Sequence, residues 1–176
     1  MLIDCGEGTQ RQIRKVGLNP CSITRILITH WHGDHILGLP GLFQTLALSG
    51  YNKILQVYGP KGTKHYISEL FKTFIFVAKL SYEVHEVEGK FIDEEEFYIS
   101  TDKMEHGCPC NAYSFVQKEV LRIDKRKLKK FKIAEGKWLQ DVKKGKDIVY
   151  KGKRIKAKEL TYRQEQKKVS IVLDTR

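Results

Sequence analysis

The sequence predicts an α/β fold, and three observations carry that prediction. Short β-branched runs alternate along the chain with amphipathic stretches of helical spacing, and no internal repeat or low-complexity tract interrupts them. The 176 residues, 41% apolar and 30% charged, suffice for a hydrophobic core. The densest cluster of chemically active side chains starts where an apolar strand stops, which is where open α/β sheets place their sites.

From the amino terminus, Met1 to Cys5 reads as the end of a strand stopped by Gly6-Glu7-Gly8. Thr9 to Val16 has helical composition, with Thr9 as the N-cap and Gly17 and Asn19-Pro20 ending it. Thr24 to Thr29, TRILIT, is a short apolar strand. From Ile36 to Leu48 the apolar residues Ile36, Leu37, Leu39, Leu42, Phe43, Leu46 and Ala47 form a wide stripe, so a buried helix is expected with Pro40 in its first turn. Ile54 to Tyr58 is a strand closed by Gly59-Pro60, and Thr63 to Thr73 is a helix. Leu80 to Val87, Phe97 to Thr101 and Ala112 to Val116 read as strands, the last two joined by a loop containing His106.

No apolar run approaches the length of a membrane span, and MLIDCGEGTQ has neither the basic nor the long apolar region of a signal peptide. The expectation is a soluble cytoplasmic protein with its four cysteines, Cys5, Cys21, Cys108 and Cys110, reduced. Cys108-Pro109-Cys110 could bind metal, but without a second pair it reads as a tight turn beside His106.

Charge is unevenly spread. Gln117 to Lys168 holds 20 Lys and Arg against 7 Asp and Glu, a net +13, which leaves 12 against 14, a net −2, for the rest. The basic excess suits a polyanion partner, whose counterions it would release, or else a solvated lysine-rich face of the kind common in heat-adapted proteins. The expected organisation is a core of residues 1–120 and 169–176 with a basic insertion at 121–168, mobile and with too little apolar surface for a core of its own. Trp138, amid lysines, reads as the anchor of a small hairpin more readily than as a base-stacking platform.

ITHWHGDH, Ile28 to His35, holds three of the six histidines. His30 and His32 are two apart on extended chain, so their rings project to one side and can share an ion. Gly33 permits a sharp turn, after which Asp34 and His35 open the next helix and point elsewhere, as a second ion about 3.5–4 Å away would require. Two ions need more ligands, and His106 and Asp174, both at strand ends, are the remaining candidates. His65 and His85 fall in patterned helix and strand and are assigned to surface or packing.

HWHGDH resembles the signature of the metallo-β-lactamase fold, and DCGEGTQRQ at Asp4 to Gln12 is similar to the stretch that typifies the ribonuclease Z family of tRNA 3′-processing endonucleases. EHGCPCNAYSF at Glu105 to Phe115 resembles that family's next ligand motif, and the terminal LDTR resembles the motif of its bridging aspartate. The resemblance implies about one half of an αββα sandwich plus an inserted arm. It implies two zinc ions, one held by His30, His32 and His106, the other by Asp34 and His35, with Asp174 between them. A water activated between the ions would be the nucleophile, and Asp34 the residue that orients or deprotonates it.

The arm, Arg122 to Lys168, would grip precursor tRNA, with Lys127, Lys129, Lys130, Lys143 and Lys144 as contacts, although Gly136-Lys137 stands where the family has Gly-Pro. Relative to the family, earlier strands and a second half with a further zinc-ligand histidine and a Glu/His pair are not in this sequence, and Leu173 replaces a glycine. The second zinc site is therefore expected to be incomplete, with one ion bound firmly and one weakly. A dimer partner or a complementary chain would supply what is missing, unless the chain is a fragment.

The leading functional expectation is a zinc-dependent endoribonuclease that removes 3′ trailers from precursor tRNA and leaves a 3′-hydroxyl. The alternatives are an RNA-binding subunit with a structural zinc, and another hydrolase on the same fold.

Overall fold

The computed structural model describes residues 1–76 and 80–176. Backbone contacts divide them into two units, one of Met1–Ile92, Ile99–Ser114 and Ser170–Arg176, the other of Asp93–Tyr98 and Phe115–Val169.

In the first unit, β1 (Leu2–Ile3), β2 (Arg25–Leu27), β3 (Leu55–Gly59) and β4 (Tyr82–Glu86) pair in parallel in that order, with Ile26 opposite both Leu2 and Val57. Parallel pairing needs crossovers, and the intervening segments supply helices: α1 (Thr9–Lys15), the short α2 (Gly33–Ile36), α3 (Leu39–Leu48) and α4 (Thr63–Thr73). The core forms where Leu39, Leu42, Phe43 and Leu46 of α3 pack on Ile26, Ile28, Leu55 and Val57 with Ile67 of α4. That one helical face is buried as its stripe of apolar residues requires.

The expected single helix over Ile36–Leu48 is two helices. Gly38 divides them because its N–H leaves the helical pattern to donate to Cys5 O at 2.8 Å, in a close approach where a Cβ would lie 2.1 Å from Gly6 O, and Pro40 then falls in the first turn of α3, where its missing N–H costs nothing. Gly6 is equally confined, a Cβ on it meeting Asp34 O at 2.1 Å. The two close approaches, with Cys5 N–H donating to His35 O at 2.7 Å, clamp the loop after β1 onto the backbone of the histidine segment. Thr9 is the first residue of α1 rather than its cap. Gly8 caps it at φ 78°, and the Thr9 hydroxyl donates to Gly6 O. Gly33 lies outside the left-handed region, so the turn there is made by His32, extended at ψ 149°, leading straight into helix.

A second four-stranded sheet runs in the order β12 (Lys167–Ile171), β7 (Cys110–Gln117), β6 (Phe97–Met104), β5 (Gly89–Asp93). Strand β5 carries little apolar alternation and was not legible in sequence, and β6 and β7 run longer than their apolar cores. Within the first unit the Tyr113 hydroxyl donates to Ile28 O, and Asn111 N–H to Thr29 O, tying this sheet to the strand end that bears the histidines.

The second unit contains β8 (Val120–Ile123) paired antiparallel with β11 (Thr161–Gln164), a hairpin of β9 (Ile148–Tyr150) and β10 (Lys153–Ile155), and helices α5 (Lys125–Lys130), α6 (Leu139–Lys143) and α7 (Ala157–Leu160). The expectation of too little apolar surface for a core is wrong here. Leu128, Ile133, Val142, Ala157 and Leu160 are buried together, each separated in sequence by polar residues that hid the cluster. Trp138 packs on that cluster and faces Tyr150 of the hairpin, ring centroids 6.0 Å apart. No helix among the described residues is long and apolar enough to cross a membrane.

Candidate metal centre

The six residues singled out as ligands converge in the first unit. Four of them, His30, His32, His106 and Asp174, form one group of potential metal-binding atoms, and Asp34, His35 and Asp174 form another. His30 Nε2 lies 3.0 Å from His32 Nδ1, which lies 3.2 Å from His106 Nε2. Asp174 Oδ2 is 3.9 Å from His30 Nε2, 3.6 Å from His106 Nε2 and 3.5 Å from His35 Nε2. His35 Nε2 is 3.4 Å from Asp34 Oδ2. Ligands around a tetrahedral ion at 2.0–2.1 Å stand about 3.3 Å apart, so these separations bracket those of a filled coordination shell.

Each candidate ligand is placed by its element. His30 and His32 follow β2 on extended chain, and Asp34 and His35 sit in the first turn of α2. His106 lies in the β6–β7 hairpin, past Met104 and before Gly107 at φ 75°. The Asp174 segment is held against that hairpin by Arg176 N–H donating to Glu105 O and by the Cys110 thiol donating to Asp174 O at 3.5 Å.

Sequence reasoning overlooked two residues here, Asp4 and Thr29. Asp4 is buried, with a left-handed φ of 54° that few non-glycine residues adopt. Its Oδ1 accepts from Thr29 N–H at 2.7 Å, and its Oδ2 accepts from the Thr29 hydroxyl and from His35 Nδ1, both at 2.7 Å. The Thr29 hydroxyl, having donated to Asp4, accepts from His30 Nδ1 at 3.0 Å. One carboxylate thus draws the protons of His30 and His35 to their Nδ1 atoms and leaves each Nε2 bare and facing the shared centre. An aspartate just after a strand and before a glycine turn was the available signal.

The electrostatics follow from burial. His30 is fully buried, and desolvation together with the nearby His35, His32 and His106 rings pushes its pKa below the usual 6.5, keeping the imidazole neutral. Burial also pulls His35 down, but the Asp4 hydrogen bond and charge, aided by Asp34 and Asp174, outweigh it and raise its pKa. A hydrogen bond from its own backbone and the charges of His35, His30 and His106 hold the Asp174 carboxyl below its ordinary value. Exposure differs across the centre, from 0% for the His30 side chain to 71% for Asp34. Chemically, the donor set suits a borderline divalent ion in the four-ligand group and leaves the three-ligand group open to a further ligand.

Cys108 Sγ lies 3.9 Å from His32 Nε2, the ring nitrogen turned away from the group, while Cys110 is buried in β7. His85 stacks on Tyr58 and bonds Gln56, and His65 packs beside Tyr66. Within the second unit Lys129, Lys130, Lys143 and Lys144 are exposed, whereas the Lys127 ammonium donates to Thr161 O at 3.1 Å. Lys127 is thus occupied within its own unit.

Candidate ligands gathered past the end of a parallel strand, in the hairpin of a second sheet and near the carboxyl terminus, with histidines at His-x-His-x-Asp-His spacing, define a metal-binding α/β fold, and residues 1–116 match the metallo-beta-lactamase superfamily. The chain belongs to that superfamily. Among its relatives, Ribonuclease Z of Nanoarchaeum equitans is 39% identical over 175 residues, covering 99% of this chain and 55% of that protein. Ribonuclease Z of Pyrococcus furiosus is 37% identical over 163 residues, covering 92% and 53%. The crystal structure of human tRNase Z, short form, superimposes with a TM-score of 0.56 at 33% identity, covering 66% of this chain and 52% of that one. The chain spans about half the length of the curated relatives it matches.

Proposed function

We propose that the chain is the metal-bearing part of a zinc-dependent endoribonuclease that cuts precursor tRNA after its mature 3′ end, leaving a 3′-hydroxyl, in the cytoplasm. The observation that carries the reading is Asp174 Oδ2, one oxygen within reach of both ligand groups. A shared carboxylate is what a two-ion phosphodiesterase needs and what a single structural ion does not. The names of the relatives and the +13 charge of Gln117 to Lys168 support RNA as the substrate.

The residues present fit two zinc ions. His30, His32, His106 and Asp174 would hold the first, and Asp34, His35 and Asp174 the second. A bound pair lowers the pKa of water towards 7 and neutralises charge on the attacked phosphate. The chain's own residues do the rest. Asp4 and Thr29 hold the ring protons of His35 and His30 away from the ligand atoms. Asp34, at 71% exposure, keeps its second oxygen, Oδ1, to accept a proton from the attacking group while Oδ2 faces the second ligand group. Lys129, Lys130, Lys143 and Lys144 bind the body of the tRNA through phosphates. With only three ligand side chains in its second group among the described residues, the chain reaches full activity with a dimer partner or a complementary polypeptide.

The test is incubation of a 3′-extended tRNA with zinc-loaded protein, alone and mixed with a candidate partner. Cleavage to a 3′-hydroxyl that fails in Asp34→Ala and His30→Ala supports the reading, and cleavage unchanged in His30→Ala refutes it.

A further inference from the structure

Beside the metal centre lies a cavity of about 260 Å³ to which no role has yet been given. It opens at the carboxyl ends of β3 and β4, the same rim on which His30 follows β2, since Leu27 pairs with Tyr58 and Gly59 with Glu86 in one parallel register. Its walls are Pro60, Val87, Met104 and Pro109, which are flat or soft apolar groups. The segment Pro109 to Asn111 is shared: it lines the cavity, its Asn111 N–H bonds Thr29 O beside His30, and Cys110 bonds the backbone of Asp174.

The rim is polar and mostly cationic. Lys103 pairs with Glu88 at 2.8 Å, and Lys61, exposed, has no ion-pair partner among the described residues. A cavity of this size with apolar walls, an exposed lysine free of ion pairs among its lining residues, and a position beside the candidate metal centre matches one ligand chemistry, an unpaired nucleotide with its base against the apolar walls and its phosphate at the rim. A base pair is too large for it, and an aliphatic chain would leave Lys61 without a counterion.

We infer that this slot is a subsite for one unpaired nucleotide flanking the scissile phosphate, with Met104 and the two prolines contacting the base and Lys61 its phosphate. The inference rests on the ribonuclease reading and specifies how the substrate strand is held there.

The chain has two methionines, Met1 and Met104, so selective ¹³C-methyl labelling gives one reporter inside the slot and one outside it. On titration of the full chain with cytidine 5′-monophosphate, the Met104 methyl shifts upfield from the ring current and saturates, while Met1 stays. Lys61→Glu weakens that titration about 5- to 10-fold, the factor for one exposed cation–phosphate contact turned repulsive. Because Lys61 is exposed, the variant keeps the fold, which its unchanged methyl spectrum without ligand verifies. A Met104 signal unmoved by the nucleotide, moved equally by ribose 5-phosphate, or titrating identically in Lys61→Glu overturns the inference.

Binding of 3′-extended tRNA is measured on the same sample. A protein that cleaves tRNA but leaves Met104 unmoved by the nucleotide loses only the subsite. One that shows the Met104 titration but neither binds nor cleaves tRNA loses the ribonuclease reading and keeps the nucleotide site.

Discussion

Asp4→Asn replaces one oxygen with an amide and keeps the side chain's shape, yet it should disable both ligand groups. Oδ1 can go on accepting from Thr29 N–H at 2.7 Å. The new NH₂ then stands where Oδ2 accepted from the Thr29 hydroxyl and His35 Nδ1, and it can only donate. To receive those donors, His35 must move its proton to Nε2, and the Thr29 hydroxyl must turn its hydrogen to His30 Nδ1, moving that ring's proton to Nε2 as well.

The metal-free fold is then nearly fully bonded and changes by no more than about 1 kcal/mol. Binding an ion requires restoring each tautomer against a donor–donor contact, at about 1–3 kcal/mol per ring, so zinc affinity falls about 10- to 100-fold in each group. A chelator-competition titration reads the affinities, ¹⁵N-imidazole spectra read the tautomers, and thermal denaturation without metal reads the fold. Zinc binding at wild-type strength with the Nε2-protonated tautomers in place would refute the reasoning. So would a variant that loses zinc only because it no longer folds.

The remaining predictions concern metal loading, packing, pH and thiols. Isothermal titration with zinc should resolve two unequal sites, the four-ligand group binding more tightly than the three-ligand group, and two equal sites would contradict the assignment. Gly38→Ala, whose Cβ meets backbone oxygens of Gly6 and Cys5 at 2.1 and 2.8 Å, should destabilise by about 3 kcal/mol or more in urea. Gly41→Ala, which meets only the flexible end of Gln10, should cost under about 1 kcal/mol.

Burial pushes the Cys5 thiol up to about 11 from 9.0, so the folded state keeps that proton after the unfolded state has lost it. The Cys5 contribution to stability should therefore fall by roughly 2–3 kcal/mol as pH rises from 9 to 11, the part of the total drop that Cys5→Ala removes. Alkylation should be fast at the part-exposed Cys21 and Cys108 and slow at the buried Cys5 and Cys110, and four equal rates would contradict the burial pattern.

The sequence by itself determined the parts of the protein whose signals are local. Helix α4 runs from Thr63 to Thr73 as its periodicity requires, and β3 lies where its apolar run ends in Gly59-Pro60. The convergence of the candidate ligands was legible because imidazoles two residues apart on extended chain have few structural uses, and His106 and Asp174 because both stand at strand ends. Only the tertiary structure decided what depends on groups distant in sequence. The expected helix breaks at Gly38 because Cys5, far earlier in the chain, takes the backbone hydrogen bonds of Gly38 and His35. The second unit has a core because Leu128, Val142 and Leu160 meet, though none belongs to an apolar run. Asp4 governs two imidazole tautomers through bonds to residues 25 and 31 positions away, and spacing along a chain carries no record of which distant donor a buried carboxylate will meet.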